Sequence, residues 1–107
     1  MPASSQAIIV ITHLPDTIEA EKLALHLVEN QLAACVNIMA PCTSIYSWQG
    51  KVERATEIPV MIKSTLARYT ALEAAIQALH PYELPEIIHV SINGGLEAYL
   101  SWINTNT

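Results

Sequence analysis

The segment His80-Pro81-Tyr82-Glu83-Leu84-Pro85-Glu86 gathers an imidazole, a phenol and two carboxylates within one short stretch. An imidazole can ligate borderline metals or exchange a proton near neutral pH. Carboxylates suit hard cations and polar ligands. Pro81 drives His80 out of helical geometry, and Pro85 does the same to Leu84. These groups therefore ride on a stiff, non-helical connector between two core elements, the kind of loop that commonly carries function. The plainer role for His80 is to cap the helix ending at Leu79 by satisfying its last carbonyls.

A wider constellation is available to that connector. Glu57, Lys63, Glu83 and Glu86, walled by Tyr46, Trp48 and Tyr82, would make a cleft for a small polar ligand or a hard cation. The competing reading of these aromatics, and of Trp102, is core and interface packing, with each hydroxyl or indole N–H finding a partner. His13, His26 and His89 are scattered without metal-ligand spacing. His26 lies on a helix flank near Glu29 and Asn30 and is expected to face solvent. His89 alternates with Ile88 and Val90, a pattern open to a subunit interface. Cys35 sits in an apolar strand and reads as a small buried hydrophobe. Cys42 follows Pro41 at a bend and is better placed for metal or oxidation chemistry. The two cysteines lack a C-x-x-C spacing and read as reduced thiols of a cytosolic protein. No Ser-His-Asp or Cys-His-Asn arrangement can be argued from the residues, so no catalytic residue and no enzymatic activity are expected.

The elements that must position these groups follow from hydrophobic periodicity. Ala7-Ile8-Ile9-Val10-Ile11-Thr12 is a β-branched run expected as a central strand. Asp16, with Glu19 three residues later, is an acidic variant of the capping box. A helix is expected over 17–31, with Ala20, Leu23, Ala24, Leu27 and Val28 on its apolar face. Ala34 to Met39 reads as a second strand. Thr43 to Trp48 alternates polar and apolar residues, Gln49-Gly50-Lys51 turns the chain, and Val52 to Arg54 resumes it. Ile58, Val60 and Ile62 then point one way, and Pro59, Met61 and Lys63 the other. This is one long hairpin, with Pro59 expected at an edge or bulge because it cannot donate to a ladder. Pro41 likewise marks a bend. Leu66, Tyr69, Leu72, Ile76 and Leu79 define a second helix, Ile87 to Ile92 a last strand, and Leu96, Tyr99, Leu100 and Ile103 a short final helix. The order β-α-β-β-α-β plus a terminal helix is an α+β, ferredoxin-like pattern in a single domain over 1–107, with 1–6 expected to be flexible. Both main helices should cover one sheet face, and copies of the same chain should cover the other.

Composition agrees with that picture. The chain has 107 residues, 51% of them apolar and only 14% charged, which excludes disorder and suggests surface buried between subunits. A formal net charge of −5, with five Lys or Arg placed singly, argues against nucleic acid as a partner. No apolar run approaches the ~20 residues that cross a bilayer, so no membrane partner is expected. The start of the chain lacks the features of a signal peptide, and a cytoplasmic location is expected.

Five ordered motifs are similar to the CutA family of divalent-cation tolerance proteins. They are Leu32-Ala33-Ala34-Cys35-Val36-Asn37-Ile38, Ser44-Ile45-Tyr46-Ser47-Trp48-Gln49-Gly50-Lys51-Val52-Glu53, Glu57 with Ile62-Lys63-Ser64, His80-Pro81-Tyr82-Glu83-Leu84-Pro85-Glu86-Ile87, and Tyr99-Leu100-Ser101-Trp102-Ile103. The resemblance spans about Ile8 to Ile103. It implies a ferredoxin-like protomer, a tight homotrimer related in architecture to PII signalling proteins, and a non-enzymatic role in tolerance to copper and other divalent metals. It also implies a copper site from a cysteine late in the first strand and a histidine pair before the Pro-Tyr step. This sequence has Thr12 at the first position and Leu79-His80 at the pair, so His80 is the one metal ligand it retains there. The alternative implied by the PII-like architecture is a small-molecule sensor or adaptor with its ligand at intersubunit clefts.

Overall fold

A computed structural model describes residues 5–107. Strand β1 (Ala7–Leu14) leads to helix α1 (Thr17–Glu29), then to strands β2 (Cys35–Ile38), β3 (Cys42–Trp48) and β4 (Lys51–Thr65). A 3-10 turn at Leu66–Arg68 precedes helix α2 (Tyr69–Leu79), strand β5 (Ile88–Ser91) and helix α3 (Glu97–Thr105). The sheet order is β2-β4-β1-β5, with β3 paired to the far half of β4 and every pairing antiparallel. This is the ferredoxin-like order that the sequence periodicity implies. Residues 1–4 of the expected flexible start lie outside the described residues. Gln6 is tied in place, its amide Nε2 donating to the Ile92 carbonyl at 2.7 Å.

Helix starts and stops are written locally. Asp16 caps α1 by accepting from the Glu19 backbone N–H at 2.8 Å. The helix ends in a Schellman arrangement: Leu32 N–H donates to the Leu27 carbonyl and Gln31 N–H to that of Val28, with Gln31 at φ 56°. That close comes two residues before the expected Gln31. The hairpin tip is equally local. Gln49 and Gly50, both at positive φ, form a two-residue loop between the paired Trp48 and Lys51, as primed turns require.

Alternation then sorts the strands into two faces. Ile8, Val10, Thr12 and Leu14 of β1, and Ile58, Val60 and Ile62 of β4, are buried against Ala20, Leu23 and Leu27 of α1 and Leu72 and Ile76 of α2. Val28, Leu66 and Leu79, expected on the apolar helix faces, lie at their margins and are exposed. On the opposite face α3 covers one end, packing Ile103 and Leu100 on Ala7 and Ala34. The remainder of that face, including Ile88 and Val90 at about half exposure, has no cover among the described residues.

Pro59 meets the expectation of a bulge. It lies inside β4, opposite His13 of β1 and beside a bulge: β2 pairs as Ile38–Val60 and β3 as Cys42–Glu57, so the partner side carries one extra residue there. Its carbonyl accepts from Met39 N–H at 2.9 Å, so its nitrogen also faces the β2 side. There β2 ends opposite Val60 and β3 begins opposite Glu57, leaving Met39 to Pro41 to bend between them. The missing donor falls at the handover between two partner strands, where no ladder bond is lost. Cys35 differs from expectation. Alternation turns it to the open face opposite Lys63, half-buried and outside the core.

Candidate functional site

The hairpin of β3 and β4 extends past the end of the helical layer, and its side chains follow the same alternation. Ser44, Tyr46, Ala55 and Glu57 share the face that carries His13 and Pro59. The connector after α2 runs alongside as a second wall. Between them lies a cleft of about 830 Å³, lined by His13, Ser44, Tyr46, Trp48, Ala55 and Glu57 on the strand side and by Pro81, Tyr82, Glu83, Leu84 and Glu86 on the connector side, with Ile45 at the rim. Six of the expected cleft residues are therefore brought together: Tyr46, Trp48, Glu57, Tyr82, Glu83 and Glu86.

Lys63 is not among them. It lies on the same face of β4 as Glu57 but far along the strand, opposite Ile9 and Cys35, with its ammonium 5.6 Å from the centre of the Tyr99 ring. Trp102 stacks on Tyr99 at 5.5 Å between centroids, also away from the cleft. The cleft lining consequently contains three carboxylates and one imidazole but no lysine or arginine. Such a lining has a negative field and attracts cations.

His80 is buried, with both ring nitrogens engaged. Nδ1 accepts from the Tyr82 backbone N–H at 3.2 Å, which leaves Nε2 to donate to the His13 carbonyl at 2.7 Å. The ring is thereby held neutral with its proton on Nε2. Burial pushes its pKa below the ordinary imidazole value, against the opposing pull of the His13 carbonyl bond and of the Glu57 and Glu19 carboxylates. The acceptor is a β1 carbonyl and not a carbonyl of α2, whose end is closed by His80 N–H to Ile76. His13 lies two residues beyond Ile11–Ile88, the last pair of the β1–β5 ladder. Its carbonyl therefore finds its donor in the His80 ring.

Tyr82 packs its ring on His80 at 4.7 Å and turns its hydroxyl to Glu57, which accepts a hydrogen bond from it. Burial first, then that bond and the charge of Glu57, push the phenol up to about 12. The connector is thus pinned to β1 by His80 and to β4 by Tyr82. Continuing the β1–β5 register by two residues would set His13 beside Glu86, and His13 Nδ1 is 3.6 Å from Glu86 Oε1. The sequence reading gave His13 no place in the cleft, although period-two alternation from Thr12 carries the signal.

The other expected residues fall elsewhere. Thr12 is fully buried toward the helices, and its hydroxyl Oγ1 has no hydrogen-bond partner among the described residues. Leu79 is exposed. His26 faces solvent beside Asn30. His89 does not face the open side of the sheet; its ring packs on Tyr69 on the helix side, tilted by 54° at 4.3 Å between centroids. Cys42 Sγ is 3.8 Å from Ser44 Oγ, outside the cleft lining. Among the described residues, no three His, Cys, Asp or Glu side chains converge on one point. The Thr12, Leu79 and His80 set therefore does not fit a copper ion: one hydroxyl is sealed in the core, one side chain is apolar, and the imidazole has no free lone pair.

Comparison with known proteins places this geometry. The family described as CutA1 divalent ion tolerance protein matches residues 8–106. The divalent-cation tolerance protein CutA of Thermus thermophilus is 41% identical over 99 residues, covering 92% of this chain and 96% of that protein. A solved structure of the Thermus thermophilus protein superposes with a TM-score of 0.93 at 40% identity, covering 94% and 98% of the two chains. The periplasmic divalent cation tolerance protein CutA of Archaeoglobus fulgidus superposes with a TM-score of 0.90 at 35% identity, covering 94% and 97%.

Proposed function

The chain belongs to the CutA1 divalent ion tolerance protein family, and from that premise we propose that it is a non-enzymatic, cytoplasmic homotrimer that binds divalent cations in the hairpin cleft. The observation that carries the reading is the cleft's composition: Glu57, Glu83, Glu86 and His13, with no positive side chain to compete. Oxygen and imidazole donors suit divalent ions of the first transition row, copper among them. A cation at His80, the donor retained from the family's copper position, would have to displace the Tyr82 N–H or the His13 carbonyl. The cleft requires no such exchange.

Assembly is supported by the uncovered sheet face and by the unpaired outer edge of β3. Ile45 and Tyr46 of β3 are exposed there, with Val52 of β4 exposed on the same hairpin, and an apolar edge of this kind calls for strand pairing with another copy. None of the described helices is long and apolar enough to cross a membrane, although the Archaeoglobus relative is periplasmic by name.

A second reading is a small-molecule sensor or adaptor. It is favoured by the size of the cleft and its walls of Tyr46, Trp48 and Tyr82, which suit an organic ligand as well as an ion. Melting curves of the assembled protein with a panel of divalent metals and a panel of metabolites separate the two. Stabilisation by metals supports cation binding, and stabilisation by a metabolite alone supports the sensor. Sedimentation as a folded monomer at micromolar concentration would overturn the trimer.

A further inference from the structure

We infer that His13 and Glu86 are the two protein ligands of a divalent cation, at a site distinct from the Thr12, Leu79 and His80 positions where the family's copper site would lie. The inference rests on the reading of the cleft as a cation site and specifies its donors.

The argument starts from the spacing of the pair. Nδ1 of His13 and Oε1 of Glu86 are 3.6 Å apart. That is too long for a strong N–H···O bond, which falls at about 2.7–3.2 Å. It matches two donors on one metal: tetrahedral bonds of about 2.0–2.2 Å place neighbouring ligand atoms roughly 3.3–3.6 Å apart. The spacing is that of a loose ion pair, and one cation can bridge the same two atoms without backbone movement.

The two ligands differ usefully in mobility. His13 is about four-fifths buried, on a strand whose carbonyl at that residue is fixed by the His80 ring. Glu86 is roughly half exposed and can adjust to the ion. Because no third His, Cys, Asp or Glu donor converges with them among the described residues, the remaining coordination positions fall to water. An open, two-ligand site of this kind binds reversibly and exchanges its ion quickly. An imidazole with a carboxylate favours Zn2+, Cu2+ and Ni2+ over Mg2+ and Ca2+.

The test is a calorimetric titration of Zn2+ into the full-length assembled protein at about pH 7.5, above the imidazole range. The wild type is compared with His13→Gln, Glu86→Gln and the remote, exposed His26→Gln. The expected result is measurable binding in the wild type, at least a tenfold loss in each of the first two variants, and no change in the third. Ring 15N signals of the wild type, followed in the same titration, should shift at His13 before His80, a readout that needs no variant to fold. Wild-type binding that survives His13→Gln, with the shift at His80, overturns this inference but leaves cation binding standing. No binding at millimolar zinc overturns both.

Discussion

Replacing His80 removes a strut, and the cost follows from what the ring touches. In His80→Ala the His13 carbonyl loses its donor and the Tyr82 N–H loses its acceptor. Each hydrogen bond contributes about 1 kcal/mol net, and each group left buried and unpaired adds a penalty of about 1–3 kcal/mol where water cannot reach it. Loss of the ring contact with Tyr82 adds about 0.5–1 kcal/mol. Allowing for partial solvent access at the connector, His80→Ala should cost about 3–4 kcal/mol. Two further variants divide the sum. His80→Gln carries an amide N–H near the place of Nε2 and should recover the His13 bond. His80→Asn carries an oxygen near the place of Nδ1 and should recover the Tyr82 bond. Each is expected to lie about 1–2 kcal/mol above His80→Ala. Guanidinium unfolding at one protein concentration reads these differences, with sedimentation checking that assembly is unchanged. If His80→Ala unfolds within about 0.5 kcal/mol of the wild type, the ring is not a strut and the account of its hydrogen bonds is wrong.

Three other outcomes follow from the same structure. Thr12→Val replaces a fully buried hydroxyl that has no partner among the described residues with a methyl of the same shape, and should raise stability by about 1–2 kcal/mol in guanidinium unfolding; a loss instead would mean that Oγ1 has a partner in the assembled protein. Gly50→Ala should lower stability by about 1 kcal/mol through backbone strain alone, because φ is 79° and an added Cβ meets nothing within 4 Å; an unchanged unfolding midpoint would remove the primed-turn assignment. The His80 imidazole has a folded pKa below its unfolded value near 6.5, so the unfolded chain takes the proton first. Its contribution is complete above about pH 6.5 and is lost as pH falls from there through the folded pKa. The stability difference between wild type and His80→Gln should therefore shrink below about pH 6, and a difference that grows on acidification would reverse the sign of the shift.

Local signals were sufficient for the elements and insufficient for the neighbours. The cap at Asp16, the turn at Gln49-Gly50 and the alternation in β1 and β4 each rest on contacts within a few residues, and each is found as the sequence implies. Lys63 and Glu57 illustrate the limit. An even spacing puts both on one face of β4, but six residues of strand separate them by roughly 20 Å, so sharing a face did not make them share a cleft. His80 illustrates another. A histidine after a helix suggests helix carbonyls as partners, whereas its acceptor is 67 residues away at His13, reachable only once β5 is known to stop short of it. Pro59 illustrates a third: its missing donor implies an edge or a bulge but does not say which. Here β4 changes partner at that residue, which no local pattern reveals.

A crystal of the assembled protein soaked in zinc and measured at the zinc absorption edge tests the central claim most directly. The account predicts an anomalous peak in the hairpin cleft, between His13 Nδ1 and Glu86 Oε1, with the His80 ring still bonded to His13 and Tyr82. A peak at His80 with those two bonds broken, or no ordered zinc in the cleft of a crystal soaked to millimolar concentration, would contradict it.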